Sequence, residues 1–136
     1  MNEEVHWDNI AGDYTNEVLN VFEADKNKKL KKYIKKFADK KKFAIDFGCG
    51  IGNGFSYLSP SFNNILALDI SSECLSIAKQ RGYKNITFKK ADLTSSRLKL
   101  PLADFGICCN VLLLPEVNAN RKIIRNVYKS LKEGAH

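Results

Sequence analysis

A chain of 136 residues, 44% hydrophobic and 27% charged, is long enough for one compact domain with one core and too short for two. Its formal charge of +7 is local: Lys26 to Lys42 carries ten lysines against Asp39, a net +9, while the remaining 12 basic and 14 acidic residues sum to −2. No apolar run approaches the roughly 18–20 residues of a membrane span, no apolar signal core follows the acidic start Met1-Asn2-Glu3-Glu4, and Cys49, Cys74, Cys108 and Cys109 form no C-x-x-C pair, which argues against a membrane, secreted or zinc-binding protein and for a cytoplasmic one with buried thiols.

In chain order, residues 3–23 read as helical, with Val5, Ile10, Tyr14, Val18, Leu19 and Phe22 as an apolar stripe that Gly12 weakens. Leu30, Tyr33, Ile34, Phe37 and Ala38 fall at helical spacing, with lysines opposite, and predict an amphipathic helix. The period then changes. Phe43–Phe47 is a short apolar run that ends in Gly48, Gly50, Gly52 and Gly54, a pattern of buried strand, tight loop and helix start. Pro60 stops that helix. Ile65–Asp69 is a second buried strand, and Ser71 or Ser72 caps a helix that stops at Gly82. Asn85–Lys89 is a third strand and Asp104–Val111 a fourth. The last helix, about Asn118–Lys132, is expected to bury Ile123, Ile124, Val127, Tyr128 and Leu131.

Alternating strands and helices predict an α/β fold, a doubly wound parallel sheet with helices on both faces. Residues 1–42 form N-terminal helices and 43–136 the core. Ligands in such sheets bind beyond the carboxyl ends of the strands, and three unusual features lie there. The loop Gly48-Cys49-Gly50-Ile51-Gly52-Asn53-Gly54 lets a ligand approach the main chain. It reads as a plain tight turn or as a ligand cradle. A dinucleotide fingerprint would need glycine at 53 or 55, where Asn53 and Phe55 stand, which disfavours a nicotinamide oxidoreductase. Asp69 closes strand two, 21 residues after Gly48, where an acid can accept hydrogen bonds from both ribose hydroxyls or merely cap a helix. Ile70 could lie against an adenine ring. Asp92, in Ala91-Asp92-Leu93 past strand three, is an acceptor for an exocyclic amine or an ordinary loop acid.

The series D-F-G-C-G-I-G, L-D-I-S, A-D-L and D-F-G-I-C-C-N-V-L-L, in this order over about residues 7–134, resembles the successive motifs of class I, Rossmann-like methyltransferases that use S-adenosylmethionine (SAM). The resemblance implies strand order 3-2-1-4 with further strands to follow, and SAM as cofactor. It implies that Gly48, Gly50 and Gly52, with Cys49 among them, line the methionine moiety, that Asp46 orients its amino group, and that Asp69 holds the ribose. Asp92 and Leu93 would hold the adenine, Asn110 at the end of strand four would lie near the transferred methyl, and Tyr14 would cover the cofactor. Trp7 and His6 are weaker candidates beside it. The segment Asn110-Val111-Leu112-Leu113 lacks the Asn/Asp-Pro-Pro-aromatic pattern of adenine- or glutamine-methylating relatives, and no Pro-Cys pair of cytosine enzymes is present. A small molecule or a protein side chain is therefore the expected acceptor, and the lysine helix is expected to be a solvated face rather than an RNA reader. The alternative is a non-catalytic SAM-binding or interaction module. Family members usually carry seven strands, and this chain stops where the fifth should begin. That leaves strand four as an apolar edge open to self-association, and a chain expected to bind cofactor better than it catalyses.

Overall fold

The computed structural model describes residues 2–136. The N-terminal region is a series of short helices: α1 (Glu3–Ile10), a 3-10 turn (Ala11–Asp13), α2 (Tyr14–Glu17) and α3 (Val21–Ala24). The continuous helix expected over 3–23 is thus interrupted. Val18 turns to extended backbone, and Asn20 restarts the chain by accepting from the N–H groups of Phe22 and Glu23. A local cap outcompetes continuation here, as Asn side chains do at helix starts. The lysine helix is α4 (Lys29–Phe37), whose first N–H groups, Lys29 and Leu30, both donate to the Asp25 carboxylate at 2.8 Å. Its inner face buries Ile34.

Four parallel strands follow: β1 (Asp39–Phe47), β2 (Phe62–Asp69), β3 (Ile86–Lys90) and β4 (Phe105–Ile107), in the order β3-β2-β1-β4. The strand order matches the expectation. β1 begins four residues before the apolar run because Asp39 pairs with Phe62 across a register irregularity. Between strands lie α5 (Phe55–Leu58) and α6 (Ser72–Lys79), and α7 (Val117–Lys129) follows β4. Alternation along β2 divides the core. Ile65 and Ala67 face a layer with Ile34, Phe55, Leu58, Leu75 and Ala78, whereas Leu66 and Leu68 face Leu93 and Ile123. Helices α4, α5 and α6 therefore cover one face and α7 the other, the doubly wound arrangement. Burying Phe47, Phe55 and Phe62 completely stabilises the fold by about 1.5–3 kcal/mol each.

Two expectations about the C-terminal third are corrected. β4 holds three residues rather than eight, and Cys108–Leu114 is irregular chain. That segment is apolar because Cys109, Val111, Leu113 and Leu114 line a cavity, not because it pairs in the sheet. On α7, Ile123 is buried, but Ile124 is 54% and Tyr128 77% exposed, so the buried stripe is narrower than the apolar one. The outer edge of β4 is not bare either. Gly106 N–H donates to the His136 carbonyl at 2.8 Å, His136 N–H to Asp104 at 3.4 Å, and Ala103 bridges Leu131. The chain's own last residues occupy part of the edge expected to be open. Among the described residues no helix is long and apolar enough to cross a membrane.

Candidate functional site

The carboxyl ends of β1, β2 and β3 open onto a cavity of about 270 Å³, close to the lower end of small-molecule sites. Its wall includes Tyr14, Gly48, Asp69, Ile70, Asp92, Leu93 and Asn110, seven of the residues the sequence singles out. A smaller adjoining space of about 30 Å³ is lined by Asp46 and Cys49 and shares Tyr14, Gly48 and Asn110 with the first. Tyr14 lines both.

The loop after β1 explains the arrangement. Gly48 has φ +80° and Gly50 φ +54°, conformations that cost an L side chain about 1–2 kcal/mol. A Cβ on Gly48 would lie 2.5 Å from Val111 Cγ2, and one on Gly50 would collide with the Tyr14 hydroxyl. Gly50 and Gly52 do not reach the cavity wall. Tyr14 covers the first, and the second turns toward Phe55 and Arg81. The loop is held from two sides. Gly50 N–H donates to Asp69 Oδ2 at 2.8 Å, and Arg81 Nε donates to the Ile51 carbonyl at 2.6 Å while Nη2 reaches Asn53 at 3.0 Å. Arg81 escaped the sequence reading, since an exposed arginine just past a helix carries no local signal.

Asp69 ends β2, with Oδ1 accepting from Ser71 N–H at 3.0 Å. Ser71 caps α6 by accepting from Cys74 N–H. Burial raises the Asp69 carboxyl above its usual range, against the backbone N–H groups of Ser71, Gly50 and Ile70, which favour the anion. Asp46, 6% exposed, accepts no hydrogen bond among the described residues, and burial together with the Asp69 charge pushes its carboxyl up to about 7. Asp92 Oδ1 accepts from Thr94 N–H and Oγ1 in a tight turn, at 2.9 and 2.6 Å. Asn110 lies three residues beyond β4 rather than at its end and adopts φ +60°, which asparagine tolerates better than most residues. Burial, then the charges of Asp69 and neighbours, raises the Tyr14 phenol. Burial also pushes Cys109 and Cys74 up to about 11 and raises Cys49 further, so these thiols stay protonated and weakly nucleophilic at neutral pH.

Over this site stands α1. Asp8 Oδ1 accepts from Ser71 Oγ at 2.5 Å and Glu73 N–H at 3.2 Å, and Glu4 pairs with Lys90 of β3. These contacts turn Glu3, His6 and Trp7 toward the cavity.

A profile of the methyltransferase-domain family matches residues 44–134. The chain belongs to that family. The methyltransferase domain is 32% identical over 100 residues to phosphoethanolamine N-methyltransferase 1 of Triticum aestivum, covering 70% of this chain and 20% of that protein. In fold it is similar to the DhpI–SAM–HEP complex, with a TM-score of 0.82 at 16% identity over 99% of this chain and 64% of that one. It is also similar to the N-methyltransferase NodS of Bradyrhizobium japonicum in complex with S-adenosylhomocysteine (SAH), with a TM-score of 0.72, 16% identity, and 97% and 69% of the two chains. The chain thus spans a fifth of the curated relative and just under two thirds of the first of these structures. The shared fold is the Rossmann-like fold of SAM-dependent methyltransferases.

Proposed function

We propose that this chain binds SAM across the two adjoining cavities and is the cofactor-binding portion of a SAM-dependent methyltransferase acting on a small molecule or a protein side chain. Residues 1–42 serve as lid and outer helix, residues 43–136 as the binding core. The observation that carries this reading is a row of carboxylates, Asp46, Asp69 and Asp92, one at or just past the carboxyl end of each of three neighbouring strands and all facing the paired cavities.

The residues fit the cofactor. Asp46 is a buried carboxylate that accepts no hydrogen bond among the described residues and opens onto a small space it lines together with Gly48, Cys49 and Asn110, a setting suited to an ammonium group. Asp69 has lone pairs beyond those engaged by Gly50 and Ser71 and takes the ribose hydroxyls. Asp92 Oδ2 takes the adenine amino group, with Ile70 and Leu93 against the ring and Asn110 beside the reacting end. Cys49 contributes wall, and Tyr14 covers the junction of the two spaces. Bound SAM supplies a methyl group already activated on a sulfonium. The protein's part is to position an acceptor in line with that methyl and to exclude water, which can account for most of the acceleration.

Isothermal titration calorimetry tests the reading. SAM and SAH bind, and NAD does not; tighter binding of NAD than of SAM would refute it. Methyl transfer to small amines or peptides by the SAM-saturated chain separates an enzyme from a non-catalytic binding module.

A further inference from the structure

Asn20 and Asn53 both line the small space beside Asp46, and the fold already occupies the oxygen of each amide. Asn20 Oδ1 accepts from the N–H groups of Phe22 and Glu23 at 3.1 and 3.2 Å, and Asn53 Oδ1 accepts from Arg81 Nη2 at 3.0 Å. Backbone N–H and guanidinium groups only donate, so the atom that faces them is the amide oxygen, and Nδ2 is the group left over. Among the described residues neither Nδ2 makes a hydrogen bond. Asn110, the third amide on this wall, has neither atom engaged, so nothing fixes which one it presents. The wall carries one acid, Asp46, and no lysine, arginine or histidine. It therefore offers an anion and, in place of a cation, two oriented amide donors.

We infer that Asn20 and Asn53 form the carboxylate half of a zwitterion site whose ammonium half is Asp46, and that Arg81 is its positioning residue. This rests on the reading that the methionine end of SAM enters this space and gives its ammonium to Asp46. The same end carries a carboxylate, which leaves water only where hydrogen-bond donors replace its hydration. Each Nδ2 has two N–H groups to supply them. Being neutral, the amides hold a carboxylate without pairing with Asp46, as a lysine or arginine in their place would, so Asp46 stays open to the ammonium. Arg81 is on the wall of neither space and acts from behind. Its Nε fixes the Ile51 carbonyl at 2.6 Å and its Nη2 fixes the Asn53 amide, and its charge polarises that amide and strengthens its N–H groups as donors. A ligand with an ammonium and no carboxylate leaves both amides without an acceptor, so the site distinguishes an amino-acid end from an amine end.

The test compares SAH by calorimetry with its decarboxylated analogue, which keeps the ammonium and lacks the carboxylate. SAH binds at least about tenfold more tightly. Asn20→Asp keeps the oxygen that caps α3, and Asn53→Asp keeps the oxygen that meets Arg81, so both variants fold, but each exchanges an amide donor for an anion. Each weakens SAH at least about tenfold and leaves the analogue unchanged or tighter. Should either aspartate variant fail to fold by circular dichroism, Asn20→Ala and Asn53→Ala give the same comparison. Arg81→Ala weakens SAH severalfold, and adds little in the Asn53→Ala background, an interdependence that a general loosening of the loop does not produce. Equal affinity of the two ligands for the unmodified chain, or folded variants that lose both ligands equally or lose no SAH, overturns the zwitterion site. An equal effect of Arg81→Ala in both backgrounds overturns the role of Arg81. If neither ligand binds, the cofactor reading falls and this assignment with it.

Discussion

Asp69→Ala separates the structural from the ligand-binding role of one carboxylate. Removal leaves the N–H groups of Gly50 and Ser71, both in buried residues, without their acceptor. Each unsatisfied buried donor costs about 1–3 kcal/mol. Loss of a carboxylate that burial already penalises offsets part of this, so a net destabilisation of about 1–3 kcal/mol is expected. Against a total of about 5–15 kcal/mol the fold survives, with a Tm lower by roughly 3–10 °C. Hydrogen bonds from the ribose hydroxyls to a charged acceptor are worth about 1.5–3 kcal/mol, so SAM affinity falls about 10- to 150-fold. Asp69→Asn retains one carbonyl acceptor and recovers part of the stability but little of the affinity. Thermal denaturation and calorimetry on the same preparations give both numbers. A folded Asp69→Ala protein with unchanged SAM affinity would falsify the ribose assignment, and an unchanged Tm would show that the loop does not depend on its anchor to β2.

Four further outcomes are expected. With its carboxyl raised from 3.8 in the unfolded chain to about 7 in the fold, Asp46 contributes most to stability below about pH 4 and loses that contribution as pH rises toward 7; Asp46→Asn should flatten the decline in denaturant-measured stability across that window. The same ionisation should make SAM bind more tightly as pH rises from 6 to about 7.5, before a ligand amino group with pKa near 8 loses its proton, and a pH-independent dissociation constant would argue against Asp46 as the ammonium's partner. Gly48→Ala combines a positive φ with the Val111 contact and should cost about 2–4 kcal/mol; adding Val111→Ala removes the clashing methyl and should recover part of that in chemical denaturation, and no recovery would refute the steric account. The lysines of α4 should give only weak, sequence-indifferent RNA binding that vanishes in moderate salt, and selective binding at physiological ionic strength in a filter or anisotropy assay would instead make RNA the acceptor.

The sheet was legible because the inner halves of β1 and β2, Phe43–Phe47 and Ile65–Asp69, covered on both faces, read as short apolar runs that end at a glycine loop or an aspartate. The same rule misled at Cys108–Val111, where apolar residues serve a cavity wall, since hydrophobicity alone does not distinguish a paired strand from a cavity-lining loop. It misled again on α7, where Ile124 and Tyr128 extend the apolar stripe past the part that meets the core. The carboxylates lining the two spaces were readable because each lies at or just past the carboxyl end of a strand. Arg81 was not, because its importance arises from contacts made across the fold, to Ile51 and Asn53.

The position of Tyr14 has a kinetic consequence. Its side chain lines both the space of Asp46 and that of Asp69 and Asp92, so a ligand reaching all three carboxylates would pass that ring. Under the proposed cofactor reading it would first occupy the larger compartment, and its amino-acid end would advance when the ring swings aside with the short helices that carry it. In stopped-flow mixing the observed rate should therefore level off at high SAM concentration, at the frequency of that swing, whereas adenosine, which fills only the outer compartment, should show a rate that climbs linearly.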